Sequence, residues 1–391
     1  MDNQTKALHT SFFHDDPYGS LSMPVYHTAA YQFPDAASMT EAFSGRSGEP
    51  DYSRTMNPTV TFFEDKVKAL TGARSVTAFN SGMAAITNMF FATTAAGKNV
   101  VSSCHMFGNT YSLITHTLAK FGVESRIVNL LDLEQVRKAV NENTACVFLE
   151  IITNPQLEVA DLKSIAEICH AKHVPLVADT TIIPFTEFDA KTLGVDVQVV
   201  SSTKYLSGGA TSLGGLIIDY GNFPEFEKCV KTELLFNLGS YMTPHAAYMQ
   251  TIGLETLHAR YGVQSANALE LAKRLQTLPQ VKSVGYVGLE DNPFHSLAAR
   301  QFGPTAGAMV TIDLESEEAC FRFINRLKLI YRATNLFDNK SLAIHPYSTI
   351  FVNYSVEQKA AMDVLPTTIR LSIGLESVND LWADIQQALG E

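Results

Sequence analysis

From about residue 61 the chain alternates short apolar runs with segments whose apolar positions recur at helical spacing. The apolar runs SVTAF (75–79), NVVSSC (99–104), SRIVNL (125–130), ACVFLEII (145–152), VPLVADT (174–180), VQVVSS (197–202) and LGGLIID (213–219) predict seven strands. Between them the pattern predicts helices at 62–72, closed by Gly72, and at 80–96. Two more follow capping aspartates, one after Asp132 and one after Asp161, the latter with Leu162, Ile165, Ala166 and Cys169 on one face. Buried Val-, Ile- and Leu-rich runs alternating with helices imply a mainly parallel sheet covered on both faces. A break falls at 220–245, and a long helix is expected through 253–276. A smaller α/β unit follows, with strands at 307–313 and 367–376 and helices at 317–330 and 378–389. Residues 1–60 carry scattered prolines and read as irregular, a length of chain that usually serves a function or reaches a partner.

The chain is 391 residues long, which sets two domains as the default. With 46% hydrophobic and 18% charged residues it reads as an ordinary globular protein. The net charge of −11, without a basic block, gives nucleic acid no electrostatic footprint. Cys104, Cys146, Cys169, Cys229 and Cys320 are widely spaced and read as buried free thiols of a reducing compartment. The first residues lack a signal-peptide apolar core, and no apolar stretch is long enough to span a bilayer, so the expectation is a cytoplasmic chain that meets no membrane. His170 and His173 have a metal-compatible spacing but no third ligand in view, and no metal is expected.

Three strand ends hold polar residues where the pattern predicts burial, and ligands of open α/β sheets bind at such ends. At Asn80-Ser81-Gly82 a strand turns into a helix, either a plain turn or an anion cradle at the helix N-terminus. Asp179 closes a buried strand, as a turn residue or as a carboxylate waiting for a cation. Lys204 follows the strand 197–202 and precedes GGATSLGG; it is a lysine snorkelling to solvent or a Schiff-base former. Ser201 and Thr203 alternate so that both hydroxyls can face one group. Together the three ends supply an anion cradle, a partner for a protonated ring nitrogen and an amine, the set that pyridoxal 5'-phosphate (PLP) requires.

Longer motifs then carry a resemblance. YSRTMNPTV (52–60), NSGMAAI (80–86), MFGNTYSL (106–113), EIITNPQLEV (150–159), SSTKYLSGG (201–209), GLETL (253–257), KSLAIHPYST (340–349) and IRLSIGLE (369–376) resemble, in order, the Cys/Met-metabolism PLP-dependent enzymes, the cystathionine γ-synthase-like family. The resemblance implies the aspartate-aminotransferase-like fold type I, with a mainly parallel seven-stranded sheet and a smaller C-terminal α/β domain. It implies three parts: an extended segment 1–60 that contributes to the neighbouring subunit's site, a PLP-binding domain over 61–245, and a C-terminal domain over 246–391. By the same resemblance Lys204 and Asp179 are catalytic, Lys204 joining the cofactor and moving protons while Asp179 pairs with the ring nitrogen. Gly82, Met83, Ser201 and Thr203 would hold the phosphate, and Asn154 would sit near the phenolic oxygen. Tyr52 and Arg54 would reach the phosphate of a neighbouring copy. Arg370 would clamp the substrate carboxylate with Ser341 nearby, in a homotetramer built from two dimers.

Departures from the family's pattern bear on the reaction. Phe107 stands where the family usually stacks a tyrosine on the ring, so the hydroxyl thought to protonate a departing thiolate is missing. Asn109 stands where methionine γ-lyases carry cysteine, and GGATSLGG resembles the form seen in O-acetylhomoserine sulfhydrylases. The family's histidine near Phe351 and arginine near Ile252 are also absent. The expected reaction is γ-replacement on O-acetylhomoserine by sulfide or a small thiol, giving homocysteine or methionine. The alternatives are a methionine γ-lyase, a cystathionine lyase or synthase, and a non-catalytic protein that keeps the PLP fold as a binding module. His105, beside Phe107, has no assigned role.

Overall fold

The computed structural model describes residues 2–10, 16 and 18–390. Residues 1, 11–15 and 17 of the 1–60 segment lie outside the described residues.

Seven strands form the first sheet: β1 (Ser75–Phe79), β2 (Asn99–Ser102), β3 (Glu124–Ile127), β4 (Thr144–Glu150), β5 (Leu176–Asp179), β6 (Val197–Val200) and β7 (Gly215–Asp219). Their order is β1-β7-β6-β5-β4-β2-β3, and β7 alone runs against the others. Each overlaps one of the seven runs of the sequence; β6 and β7 are buried along their whole length, whereas the edge strand β3 is not and holds a single apolar residue, Ile127. Burial on both faces is why the other six read as continuous apolar runs rather than as alternation. Helices flank them with local stop and start signals. The helix Pro58–Thr71 ends on Gly72 in the left-handed region, and Leu162–His170 starts on the Asp161 carboxylate, which accepts the Ser164 N–H.

The second sheet holds β8 (Ser283–Gly285), β9 (Met309–Asp313), β10 (Tyr331–Arg332), β11 (Leu342–Ile344) and β12 (Thr368–Ser372), in the order β10-β11-β12-β9-β8. Only β9 and β12 have a sequence signature; β8, β10 and β11 are two or three residues long and leave no room for a period. One cluster of buried apolar side chains runs from Val147, Leu149 and Ala178 under the first sheet to Val310, Ile369 and Leu371 in the second.

Three segments differ from the sequence pattern. The irregular N-terminal region contains two short helices, Asn3–His9 and Ala36–Phe43, each started by an aspartate side chain at its N-cap, Asp2 and Asp35. The 220–245 break is helical over 226–238, and Phe226, Val230 and Leu235 pack with Phe79, Met89 and Phe148 against the first sheet. The single long helix at 253–276 is two, Pro244–Glu255 and Leu257–Leu275, broken at Thr256. The Arg260 guanidinium donates to the Gly253 carbonyl and the Thr256 hydroxyl across that break, so the freed acceptors are satisfied. Of the cysteines, all free, Cys146, Cys169 and Cys320 are buried while Cys104 and Cys229 are half-buried.

The Pro244–Glu255 helix passes unusually close to the loop after Lys204. A Cβ added at Gly253 would lie 1.9 Å from the Leu206 carbonyl oxygen and 2.8 Å from the Gly208 nitrogen, main-chain atoms that cannot turn aside. Gly253→Ala is therefore expected to destabilise the chain by about 1–3 kcal/mol through overpacking. A lowered thermal midpoint together with weakened cofactor retention, read by calorimetry and by absorbance, checks this; an unchanged midpoint contradicts it.

Candidate active site

Parallel strands that end on the same edge of a sheet deliver their C-terminal residues to one place. β4 ends at Glu150 and β5 at Asp179, and the two are register partners across the strand pair. Ser201 follows the end of β6, and Ser81-Gly82 follow the end of β1. These ends, the Lys204 loop and residues from the second sheet's edge enclose a cavity of about 350 Å³. Gly82, Met83, Phe107, Asn154, Asp179, Ser201, Thr203, Lys204 and Arg370 all line it.

Ser81 caps the Gly82–Thr93 helix by accepting the Ala84 N–H, which leaves the Gly82 and Met83 N–H groups in the first turn without an intrahelical acceptor. Gly82 is required there because a Cβ would come 2.8 Å from the Ser201 Cβ. The Ser201 hydroxyl thus faces the positive end of the helix, a site suited to an anion. Thr203 lines the same wall, with its hydroxyl accepting from the Gly214 N–H at 3.0 Å and donating to the Gly214 carbonyl at 3.1 Å.

The charged groups are almost all withdrawn from water. Burial raises the Asp179 carboxyl above its ordinary range, opposed by the Thr181 N–H at 2.9 Å and by the Lys204 charge. Burial, then the charge on Arg370, pushes Lys204 down to about 8, with Asp179 pulling the other way. The Lys204 Nζ donates to the Asn335 Oδ1 at 2.8 Å. Arg370, 4% exposed, donates from Nη1 to the Asn154 Oδ1 at 3.1 Å and from Nη2 to the Asn335 carbonyl at 3.2 Å. Its Nε has no partner, and no carboxylate pairs with it among the described residues. Burial disfavours the guanidinium charge, yet arginine keeps its proton in proteins. A buried cation without a carboxylate partner, on a residue that lines a cavity, is the receptor expected for a carboxylate.

Glu150 escaped the sequence reading. It lies inside the apolar run 145–152, where no strand end marks it out. The structure buries it on the cavity wall, Oε1 accepting the Phe107 N–H at 2.6 Å and Oε2 the Asn154 N–H at 3.2 Å. Burial first, and the Asp179 charge second, push it up to about 8. Its position immediately before IITNP was the available signal. Asn335, which holds both Lys204 and Arg370, had none, because it sits in a loop between two strands too short to read.

Three expected residues stand apart from the cavity. Ser341 is buried, its hydroxyl donating to the Glu376 Oε2 at 2.8 Å and accepting the Gly374 N–H at 2.8 Å. Tyr52 is exposed and carries the Arg54 guanidinium 5.6 Å above its ring, while Arg54 also donates to the Phe236 carbonyl. His105 lies outside the lining, bridging Glu158 at 2.6 Å and Asp363 at 3.1 Å. Contact with Cys104, then with Glu158, holds it as the imidazolium with a pKa of about 10. His170 pairs with Asp196, and among the described residues no group of three side chains is placed to hold a metal. Among them, too, no helix is long and apolar enough to cross a membrane.

Comparison with known proteins agrees with this geometry. The sequence pattern of the family described as Cys/Met metabolism PLP-dependent enzyme matches residues 4–390, and the chain belongs to that family. It is 34% identical to an L-methionine gamma-lyase of Pseudomonas putida, covering 98% of this chain and 96% of that one. It is 32% identical to a sulfhydrylase of Fusarium oxysporum f. sp. lycopersici over the same shares. A candidate O-acetylhomoserine (thiol)-lyase of Campylobacter jejuni, solved with N'-pyridoxyl-lysine-5'-monophosphate in its chain, superposes with a TM-score of 0.95 at 31% identity, covering 100% of both chains. The fold is therefore type I and the cofactor is PLP. The residues present fit that group: free N–H donors and a hydroxyl at a helix N-terminus for its phosphate, a buried carboxylate for its ring nitrogen, and a buried amine for its aldehyde.

An amine reacts with an aldehyde only when neutral, so with Lys204 as the amine that takes PLP its lowered pKa would set the pH at which the apoprotein loads. Loading, followed by the rise of the bound-cofactor absorbance, is expected to accelerate with rising pH with a midpoint of about 8. A midpoint near the 10.5 of an ordinary lysine overturns this assignment, and Lys204→Ala is expected to abolish the absorbance.

Proposed function

We propose that the protein, with PLP bound, catalyses γ-replacement on O-acetylhomoserine by sulfide or a small thiol, releasing acetate and giving homocysteine or methionine. When bound, the cofactor supplies an electron-withdrawing ring that stabilises negative charge at the substrate α carbon. Asp179 keeps the ring nitrogen protonated, and the Gly82 and Met83 N–H groups with Ser201 and Thr203 hold the phosphate. Phe107 packs against the ring, and Asn154 is placed at its phenolic oxygen. Arg370 binds the substrate carboxylate through its unpartnered Nε, with Ser341 stabilising the Gly374 and Glu376 turn behind it. The Lys204 amine, in contact with Asn335, takes the α-proton and then serves the β carbon.

Phe107 carries the choice of reaction. Expelling a thiolate calls for an acid, whereas acetate leaves without one. Among the described residues lining the cavity there is no tyrosine, histidine or cysteine. Glu150, whose pKa of about 8 makes it an acid at neutral pH, has both oxygens turned to main-chain N–H groups. This favours a substrate that brings its own leaving group over a C–S lyase.

Tyr52 and Arg54 are read as serving the site of a second copy, in a homotetramer whose chains divide into the segment 1–60, a cofactor domain over 61–245 and a C-terminal domain over 246–391. The reading places the enzyme in the cytoplasm, in methionine biosynthesis.

Three experiments test it. In a steady-state comparison of O-acetylhomoserine with sulfide against O-succinylhomoserine, cystathionine and methionine, the first is expected to be the best substrate. Phe107→Tyr is expected to raise C–S cleavage by tenfold or more, toward the usual 10²–10⁴-fold worth of a general acid, with little effect on acetate departure. Rapid α-ketobutyrate release from methionine without homocysteine synthesis defeats the proposal. For the shared site, Lys204→Ala and Arg54→Ala are each expected to be inactive, and a refolded mixture to regain about one quarter of wild-type activity through hybrid dimers with one native site. No recovery means that Arg54 does not act across a subunit boundary.

A further inference from the structure

Phe107 brings no hydrogen-bonding side chain to the cavity, so the place of its ring depends on how its main chain is held. Glu150 supplies one tie, joining the Phe107 and Asn154 N–H groups from the cavity wall. A second tie joins the same two segments from outside the cavity lining. It is made by His105, the residue that the sequence left without a role.

The His105 Nδ1 meets the Glu158 Oε2 at 2.6 Å, and its Nε2 meets the Asp363 Oδ2 at 3.1 Å. His105 stands two residues before Phe107, with its own N–H donating to the Ser103 hydroxyl at 3.0 Å. Glu158 is locked to Thr153: its N–H donates to the Thr153 hydroxyl and its carbonyl accepts the Thr153 N–H, both at 3.0 Å. Thr153 directly precedes Asn154, so Glu158 and Asn154 belong to one closed loop. The stretch 354–363 completes the assembly. Its Ala361 carbonyl accepts from the Cys104 thiol at 3.2 Å, its Tyr354 hydroxyl donates to the Gly108 carbonyl at 2.6 Å, and its Met362 carbonyl accepts from the Gln156 side chain.

Two residues of this assembly hold left-handed backbone without being glycine, Leu157 with φ 61° and Asp363 with φ 50°. That conformation is costly for a residue with a side chain and persists only where its surroundings over-determine it. Leu157 immediately precedes Glu158, and Asp363 is itself the second acid, so both departures sit where a carboxylate is delivered to the imidazole. The two acids and the Cys104 thiol surround a ring 13% exposed, which keeps its proton through the neutral range with a pKa of about 10.

We propose that His105 is a positioning residue: by bridging Glu158 and Asp363 it holds Phe107 and Asn154 in the places from which they meet the bound cofactor. The inference rests on the assignment of PLP to this cavity and not on which substrate reacts there.

The test uses the PLP-loaded full chain and needs no substrate. Wild type, His105→Ala, Glu158→Ala and the double variant are compared by visible-region circular dichroism of the bound cofactor, which reports its fixed orientation, and by the rate of cofactor loss on dilution. Either single substitution is expected to weaken the visible band and to speed loss by about tenfold or more, as for a hydrogen bond to a charged group. The far-ultraviolet signal is expected to stay at the wild-type level. The double variant is expected to match His105→Ala, because the same bridge is already broken. His105→Asn, which can still donate to Glu158 without a charge, is expected to recover part of the retention. In a Phe107→Ala background the added effect of His105→Ala is expected to fall below about threefold, which general loosening of the fold would not produce. Should His105→Ala not fold, Glu158→Ala and His105→Asn are read in its place. Wild-type retention in the variants, or an undiminished effect in the Phe107→Ala background, overturns the inference and leaves the cofactor assignment standing. If the wild type itself takes up no PLP, the reading of the cavity fails and the inference with it.

Discussion

Water is nearly excluded from a spot where two carboxylates, an amine and a guanidinium meet. Asp179 and Glu150 end adjacent parallel strands as register partners, and Lys204 and Arg370 approach the same cavity from the following loop and from β12. Every one of these groups is pushed toward its neutral form by burial, the carboxylates up and the bases down. A collection like this is costly to hold in an apolar interior unless each charge meets its complement. The local main chain meets part of the demand, with N–H groups at Phe107, Asn154 and Thr181 turned to the carboxylates. The free Nε of Arg370 shows where the demand is left open.

That constraint explains how the fold is divided between rigid and adjustable parts. The carboxylates stand at the ends of mostly buried strands, so their positions follow from the sheet. The bases are held differently, through Asn335, which accepts from Lys204 with its side chain and from Arg370 with its main chain. A single loop residue therefore sets the distance between the amine and the guanidinium that lowers its pKa. Gly253 acts on the same loop from the other side, since its missing side chain lets the Pro244–Glu255 helix lie against Leu206 and Gly208.

Legibility in the sequence followed local signal. Six strands of the first sheet were readable because burial on both faces writes itself as apolar runs, while the exposed edge strand β3 showed only through the apolar residues that follow it, and most of the cavity lining was readable because polar residues at the ends of such runs stand out. Glu150 failed that test because the apolar run continues past the end of the strand into Ile151 and Ile152. β8, β10 and β11, two or three residues each, carry no period, and with them went Asn335. The break at Thr256 was invisible because it depends on Arg260 reaching back across the turn, a tertiary contact between residues of ordinary helical propensity. Ser341 is instructive in a different way: its motif is in place, yet its hydroxyl is spent on Glu376 and Gly374, so the motif alone could not say whether it faces the cavity or braces it.

Phe107 links the electrostatics to the chemistry. Its N–H is bonded to Glu150, so the ring is held by the very carboxylate that would otherwise be the cavity's best acid at neutral pH. With that carboxylate turned to the main chain and no phenol, imidazole or thiol among the described residues of the lining, the proposed chemistry finds in this chain groups to bind a carboxylate and move a proton from carbon, but no dedicated acid for a departing sulfur. The asymmetry is physical rather than a matter of resemblance. On the proposed reading the same apolar ring withholds a proton from a departing thiolate and takes nothing from a departing carboxylate, a weak base that leaves without one.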